Sequence, residues 1–240
     1  MAKAAMRAAV PGGDEALRDA LLERARQLGL LGWVRHDAPD GAVRIHVEGE
    51  GEAVAALREL VAPHAEEERA KVEGHEQLVV RGVPHGVFVV QEHAATAHHF
   101  DLRLEVGGVM RSWALPKGPT LDPAVKRLAV EVGDHSLAYN AFEGRTGSGG
   151  GVVIWDRGPY EQGGRVAWPE ALDRGHAVFV LHGEKLRGGF VLQRTRGRGE
   201  KAQWLLLKRR DDEARPGSDV TAEQPRSVES GRTLDELLGR

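Results

Sequence analysis

The sequence predicts an α+β protein in which a small α+β sandwich precedes a mainly β, barrel-like domain. Three observations predict this class. The first part alternates helix-like and strand-like patterns, the second part consists of short alternating runs separated by glycines, and 240 residues suffice for one or two domains with their own cores. The predicted boundaries are a flexible start at 1–12, the sandwich at 13–83, the barrel at 84–215 and a flexible tail at 216–240.

The composition excludes several classes of protein. Lys and Arg total 33 against 36 Asp and Glu, so the chain is not basic throughout, as a protein that coats nucleic acid would be. Cysteine is absent, which excludes disulfides, zinc–thiolate sites and iron–sulfur clusters, so any metal must be held by nitrogen and oxygen. No apolar run suits a membrane helix or a signal peptide, which predicts a cytoplasmic protein.

The first part has the pattern of a two-layer sandwich. Asp14 is a suitable N-cap for a helix whose apolar residues repeat up to Gly29. Alternating strand patterns follow in LGWVRH and AVRIHVEG, then an amphipathic helix in GEAVAALRELV and a further strand in EQLVVRGV. The predicted order α-β-β-α-β is typical of a small α+β sandwich.

The second part contains eight short strand patterns, which favour a barrel or a curled sheet. They are VFVVQEH, HFDLRLEV, MRSWAL, RLAVEV, GVVIWD, AVFVLHG, GGFVLQRT and QWLLLKR. Between Lys185 and Arg210 the chain carries nine basic residues and a single acid, Glu200. This stretch is either a surface that meets phosphate or an ordinary solvated loop.

Polar side chains share one face of two neighbouring predicted strands. Alternation places His99, Asp101 and Arg103 on one face, and Gln91 and His93 on one face of the preceding strand. If these strands pair antiparallel, His93 meets His99 and Asp101. Two imidazoles and a carboxylate suit manganese, iron, cobalt or zinc, and the adjacent guanidinium suits a phosphate. The alternative is a solvated polar sheet face.

Further candidates follow in the sequence. His98 falls on the apolar face and is expected to pack rather than to ligate. His135 and Tyr139 are four residues apart, so a single turn could aim both at one point. Positive charge nearby comes from Lys117 and the Lys126–Arg127 pair, each of which is either a phosphate contact or a surface charge.

Residues 16–61 resemble the acylphosphatase family, most clearly in ARQLGLLGWVRHDAPDGAVRIHVEGEGEAVAAL. That family folds as β-α-β-β-α-β and hydrolyses acyl phosphates. Nothing in residues 1–13 matches its opening strand and glycine-rich phosphate loop, and His36 stands in place of its catalytic Asn. The resemblance therefore implies a scaffold that has lost the chemistry.

Residues 86–214 resemble the 3′-phosphoesterase domain of bacterial DNA ligase D. The resemblance lies in FVVQEHAATAHHFDLRLEVGGVMRSWALPKGPTLDPAVKRLAVEVGDHSLAYNAFEG, then GVVIWDRGPYE, GEKLRGGFVLQRT and QWLLLKRRDD, in that order. It implies a manganese-dependent enzyme, with cobalt or zinc as other possible ions, that acts on DNA 3′ ends. The implied reactions remove a terminal ribonucleotide by phosphodiester cleavage and then the remaining 3′-phosphate. The implied partners are an end-joining ligase and polymerase, near the bacterial nucleoid.

The resemblance also implies roles for individual residues. The metal ligands would be His93, His99 and Asp101, and the groups that bind and polarise the scissile phosphate would be Arg103, His135 and Tyr139, with Gln91 as support. The chain departs from the family at Gly133, where an acid is usual. This departure keeps open a non-catalytic module that binds or docks DNA ends. An iron(II) oxygenase on a cupin-like barrel is a further alternative, because it uses the same kinds of ligand.

Overall fold

The computed structural model describes residues 2–37, 41–95, 97–147 and 149–240. The chain divides into two compact units. The N-terminal unit comprises Met1–Val83 and Gly164–Ala167, and the barrel unit comprises Pro84–Gly163 and Trp168–Arg240. Among the described residues, no helix has the length and apolar composition needed to span a bilayer.

The N-terminal unit is one sheet with two helices. Its elements are β1 (Lys3–Val10), α1 (Glu15–Gln27), β2 (Leu31–Asp37), β3 (Ala42–Glu50), α2 (Gly51–Val61), β4 (Glu66–Glu68) and β5 (Leu78–Arg81). The strand order is β4-β1-β3-β2-β5, with β2 and β5 parallel and the other neighbours antiparallel. The predicted α+β class is confirmed.

The central strand β3 separates two environments. Val43, Ile45 and Val47 are fully buried and form a core with apolar residues of both helices. Because side chains alternate along a strand, His46 and Glu48 belong to the other face of the sheet. They are nevertheless buried as well.

The prediction of a loose start at 1–12 is wrong for Lys3–Val10, which pair along their whole length with β3. The expectation that the opening strand is missing is wrong for the same reason. Met6 and Ala8 are buried, but small residues give a weak hydrophobic pattern, which hid the strand. The predicted N-cap is confirmed, since the Asp14 carboxylate accepts the Leu17 amide at 2.8 Å.

The barrel unit closes into an antiparallel barrel of eight strands. Its elements are β6 (Gly86–Ala94), β7 (His98–Val106), β8 (Val109–Leu115), β9 (Lys126–His135), a 3₁₀ turn (Leu137–Ala141), β10 (Gly144–Arg145), β11 (Gly151–Gln162), α3 (Glu170–Arg174), β12 (His176–His182), β13 (Arg187–Arg196) and β14 (Gln203–Lys208). The strand order runs β11-β12-β13-β14-β9-β8-β7-β6, and β6 pairs back with β11. The short β10 adds to β11 outside this ring. The predicted barrel is confirmed.

The tail is folded rather than flexible. It contains α4 (Val220–Glu223) and α5 (Leu234–Leu238), and the three leucines of α5 pack against Val153. The Gln224 carbonyl accepts the Trp155 indole N–H at 2.8 Å. The prediction of a flexible tail at 216–240 is therefore wrong, because its few apolar residues are grouped in one capped helical turn that covers β11.

Part of the predicted basic surface is internal. The Lys185 ammonium is buried over the Trp155 ring at 4.4 Å, and burial lowers the pKa of Lys185 to about 8. Lys208 is also buried and lies 2.5 Å from Asp211 Oδ1. Because both side chains are buried, these two cations do not contribute to a basic surface.

Candidate metal and phosphate site

Strand register brings the predicted metal ligands together. β6 and β7 pair antiparallel with His93 opposite His99 and Gln91 opposite Asp101. The apolar residues between them, such as Phe100 and Leu102, are buried on the other face. The pairing assumed from the sequence is the one observed.

The three side chains have the spacing of a metal site. His93 Nδ1 lies 3.7 Å from Asp101 Oδ2, and His99 Nε2 lies 3.6 Å from Asp101 Oδ1. One ligand atom from each residue falls within 4.8 Å of the others. Ligands bound tetrahedrally at about 2.1 Å from an ion are separated by about 3.4 Å, so small adjustments would close this group around one ion. The donor set therefore fits a divalent cation.

The tautomer of His99 also suits a metal ligand. Its Nδ1 lies 2.9 Å from the Ala97 carbonyl oxygen. A carbonyl can only accept, so Nδ1 carries the proton and neutral His99 presents the Nε2 lone pair to the site. Such a backbone contact commonly fixes the orientation of ligating histidines.

The electrostatics of the three groups are coupled. Burial alone would raise the pKa of Asp101, but contacts with His99 and Arg103 outweigh it and hold that pKa below its usual range. Burial and the neighbouring His99 lower the pKa of His93. Contact with Asp101 raises the pKa of His99. The carboxylate is thus ionised at neutral pH, as a ligand must be.

Arg103 is buried beside this group and donates to four neighbours. Its Nε bonds Gln91 Oε1 at 2.9 Å, and its Nη2 bonds Asp101 Oδ2 at 3.1 Å. Its Nη1 lies 2.9 Å from Ser112 Oγ and 2.8 Å from His135 Nδ1. The planar guanidinium is therefore held rigidly between His135 and the three candidate metal ligands.

Gln91 and the 3₁₀ turn complete the arrangement. The Gln91 amide donates to the carbonyls of Tyr139 and Phe142 at 3.2 and 3.0 Å. The Tyr139 ring lies 5.1 Å from the His135 ring and 5.1 Å from the Arg103 guanidinium carbon. One polar cluster thus includes every residue that the resemblance assigns to metal, phosphate or support.

Other predicted residues lie elsewhere. His98 packs edge-on against Phe100, with 5.5 Å between the ring centroids, and its Nε2 bonds Glu92 at 2.7 Å, as expected of a packing or tautomer-fixed histidine that is not a ligand. Lys126 and Arg127 begin β9, while His135 ends it, so they lie about 26 to 30 Å away along the strand. They do not reach a phosphate bound at this site, and a contact with DNA outside the site stays a prediction. Lys117 is exposed in the turn after β8.

Sequence reasoning missed Ser112. Its hydroxyl donates to the Met110 carbonyl at 2.9 Å and accepts from Arg103, and it lies 3.4 Å from His135 Nδ1. A serine inside MRSWAL gives no signal by itself. The only clue was alternation, which puts it on the polar face of the strand next to β7.

The barrel unit is thus a closed antiparallel barrel in which two histidines and a carboxylate, with the spacing of metal ligands, lie beside a fixed arginine. Comparison with known proteins specifies the families. Residues 91–194 match the family described as "DNA Ligase D 3'-phosphoesterase domain", and residues 17–85 match the acylphosphatase family. Both resemblances predicted from the sequence are confirmed: a region similar to the 3′-phosphoesterase domain of DNA ligase D follows a region similar to acylphosphatases.

Similar proteins include two bacterial non-homologous end joining proteins. The chain is 49% identical over 159 residues to the "Multifunctional non-homologous end joining protein LigD" of Pseudomonas aeruginosa, and 42% identical over 139 residues to that of Mycolicibacterium smegmatis. These matches cover 61% and 54% of the chain but only 18% of each relative. The chain therefore spans less than a fifth of the length of these proteins.

The N-terminal unit has its own relatives. The chain is 44% identical over 61 residues to an acylphosphatase of Anaeromyxobacter dehalogenans, covering 25% of the chain and 62% of that protein. A solved acylphosphatase from Coxiella burnetii aligns with 33% of the chain and 93% of its own, with 22% identity and a TM-score of 0.30.

Proposed function

We propose that the barrel unit is a manganese-dependent phosphoesterase that trims DNA 3′ ends during bacterial end joining. It removes a 3′-terminal ribonucleotide by phosphodiester cleavage and removes a 3′-phosphate more slowly. The observation that carries the proposal is the contact of Asp101 with both histidines on one side and with Arg103 on the other. The match of residues 91–194 supports the same class of reaction.

His93, His99 and Asp101 hold the ion in this proposal. A divalent cation bound there supplies positive charge to the phosphoryl oxygens and lowers the pKa of a bound water. Arg103 stays where its charge also faces the phosphate, because its bonds to Gln91 and Ser112 fix the guanidinium before substrate arrives. Little reorganisation is then needed as negative charge develops on the phosphate.

His135 binds the phosphate as a hydrogen-bond donor. Arg103 can only donate, so Nδ1 of His135 is the acceptor in their contact and the ring proton lies on Nε2. Burial and the Arg103 charge lower the pKa of His135, which keeps the ring neutral at neutral pH. A neutral imidazole is poorly suited to protonate the leaving oxygen, so we assign His135 to hydrogen bonding with the phosphate.

The monoester reaction is the weaker one because of Gly133. A phosphomonoester carries nearly one more negative charge than a phosphodiester, so it needs closer control of protonation near the extra oxygen. An acid at this position would lie on the same strand as His135 and two residues before it. A carboxylate does lie nearby, since Glu200 Oε1 is 3.2 Å from where a Cβ at this position would be. Glu200 is exposed, so solvent screens its charge.

The remaining parts of the proposal concern partners. The substrate is a duplex DNA 3′ end. A polymerase that adds ribonucleotides acts before the trimming reaction, and a ligase that seals the end acts after it. The two LigD relatives are named multifunctional, which supports a working connection to such activities. This role would place the protein at the bacterial nucleoid.

The direct test is incubation of the full chain with manganese and a duplex whose primer ends in a single ribonucleotide. Primer shortened by one nucleotide is the expected product. His98 and His99 offer a matched pair of variants, because they are adjacent but only His99 belongs to the site. We expect His99→Gln to abolish cleavage and His98→Gln to retain it. DNA binding without cleavage by the wild-type chain would instead favour the non-catalytic module.

A further inference from the structure

A second group of histidines and carboxylates lies in the N-terminal unit, on the sheet face opposite its helices. Register places His46 of β3 between Arg7 of β1 and Trp33 of β2. Glu48 follows two residues later on the same face. His46 is fully buried, and its ring stacks on Trp33 with 6.1 Å between centroids.

The segment after β4 covers this face. The Glu48 carboxylate accepts the backbone amide of Glu73 at 2.6 Å and also accepts the amide of His75. These bonds bring the side chains of Glu73 and His75 next to His46, whose ring lies 5.4 Å from that of His75. Burial of both histidines results from this folded-over segment.

The resulting spacing is that of a metal site. One ligand atom each from His46, Glu73 and His75 lies within 4.8 Å of the others. His75 Nε2 is 3.5 Å from Glu73 Oε2, and His46 Nε2 is 3.8 Å from Glu48 Oε2. These separations match those of the barrel site and approach the ~3.4 Å between tetrahedral ligands.

The histidine nitrogens lack the partners that buried polar atoms normally have. Among the described residues, all four ring nitrogens of His46 and His75 are buried without a hydrogen-bond partner. Each ring is more than nine-tenths buried, so solvent does not satisfy these atoms either. Buried polar groups that remain unpaired destabilise a fold, and a bound ion is one of the recognised explanations for them.

The charges of the cluster allow a cation. Arg7 Nη2 lies 2.9 Å from Glu73 Oε1. The other oxygen of that carboxylate, Oε2, faces His75. Glu48 is a second acid of the cluster, and Arg81, which acts on His75 and stacks on the Trp33 ring at 4.8 Å, is a second guanidinium beside it, so these four charges balance. Burial lowers the pKa of His46 and of His75, so both rings are neutral and offer lone pairs rather than positive charge.

We propose that His46, His75 and Glu73, together with Glu48, bind a divalent cation of the zinc class. Two imidazoles and two carboxylates favour tetrahedral zinc, or cobalt in its place. Because the ligands are buried, the site is structural: the ion joins the segment around Glu73 and His75 to β3. This inference is independent of the reaction proposed for the barrel unit.

Metal stoichiometry of the full chain tests the proposal. After equilibrium dialysis against zinc, elemental analysis should give one more ion in the wild-type chain than in His46→Gln/His75→Gln. His64→Gln is the matched control, since His64 is an exposed histidine of the same unit. It should bind as much zinc as the wild-type chain. Equal zinc content in the wild-type chain and the double variant would overturn the proposal.

Two further measurements cover the case in which the double variant fails to fold. Glu73→Gln keeps both histidines, and we expect it to weaken zinc binding at this site by about 10- to 100-fold. Cobalt should give the visible absorption of a tetrahedral site in the His93→Ala/His99→Ala chain, where the barrel site is removed. Absence of bound cobalt in that chain, or unchanged affinity in Glu73→Gln, would contradict the assignment.

Discussion

Nη1 of Arg103 lies 2.8 Å from Nδ1 of His135, and this contact sets the protonation of the imidazole. A guanidinium has no acceptor, so neutral His135 must carry its proton on Nε2. The same guanidinium contacts Asp101, which is one of the three candidate metal ligands. Arg103 therefore connects the predicted metal ligands to the predicted phosphate donor through direct hydrogen bonds.

Arg103→Lys should reduce cleavage by about 10²-fold, or roughly 3 kcal/mol in transition-state stabilisation. An ammonium keeps the charge but cannot contact Gln91, Ser112, Asp101 and His135 from one rigid plane. The measurement is kcat/KM on the ribonucleotide-terminated primer. Arg157→Lys, at a half-exposed arginine of β11 paired with Glu229, is the control and should leave the rate unchanged. Equal rates for the two variants would show that the Arg103 geometry does not matter.

The neutral donor form of His135 should persist to pH values below 6.5, the ordinary pKa of a histidine. Burial and Arg103 lower the pKa of His135, so the neutral donor form persists further into the acid range. Protonation of His135 would place a proton on Nδ1, which faces Arg103. The positively charged imidazolium and guanidinium would then repel each other. An NMR titration of His135 should show this lowered pKa, and Arg103→Gln should raise it. A midpoint at or above 6.5 in the wild-type chain would contradict this account.

Wild-type chain should accumulate primer ends that carry a 3′-phosphate, and Gly133→Glu should convert them faster. An acid here could orient His135 or hold a proton, and a supporting contact of this kind is typically worth ~10²-fold in rate. A Cβ at this position meets only the end of the exposed Glu200 side chain, so the substitution should fit. Gly133→Ala adds the Cβ without the carboxylate and should behave as wild type. Rapid conversion to 3′-hydroxyl by the wild-type chain would refute the argument.

The N-terminal unit should not hydrolyse acyl phosphates, and the test uses the chain in which alanine replaces His93, His99 and Asp101, so that the barrel site does not contribute. The first turn of α1, where backbone amides could bind an anion, is capped by the Asp14 carboxylate at 2.8 Å from the Leu17 amide. Arg18 lies 2.8 Å from Asp19 Oδ1 and is thus already paired. His36 also stands where the family has its catalytic Asn. Measurable release of phosphate from acetyl phosphate, above that of a heat-inactivated sample, would overturn this prediction.

The arrangement of the side chains at the barrel site could be predicted from the sequence, because strand alternation and antiparallel pairing are short-range rules. His99, Asp101 and Arg103 had to share a face, and His93 had to meet them once β6 and β7 paired. The hydrogen-bond partners of Arg103 were harder to predict from the sequence. Ser112 belongs to a different strand, and its contact depends on the register between β7 and β8.

The wrong predictions share one physical cause. Each concerns a segment that is stabilised only by residues far away in the sequence. β1 has small apolar residues and is defined by its pairing with β3. The tail helix α5 is a single turn that is stabilised by packing on Val153. The buried pair His46 and His75 is 29 residues apart in the chain, and no spacing rule indicates that Glu48 brings them together.

Manganese binding by the site residues tests the central claim most directly. Electron paramagnetic resonance of free manganese can be followed during titration of the full chain, in the His46→Gln/His75→Gln background so that the N-terminal cluster does not contribute. We predict one manganese ion bound per chain, and loss of that binding when His93, His99 and Asp101 are all replaced by alanine. Unchanged manganese affinity in the triple-alanine chain would contradict the assignment of the metal site.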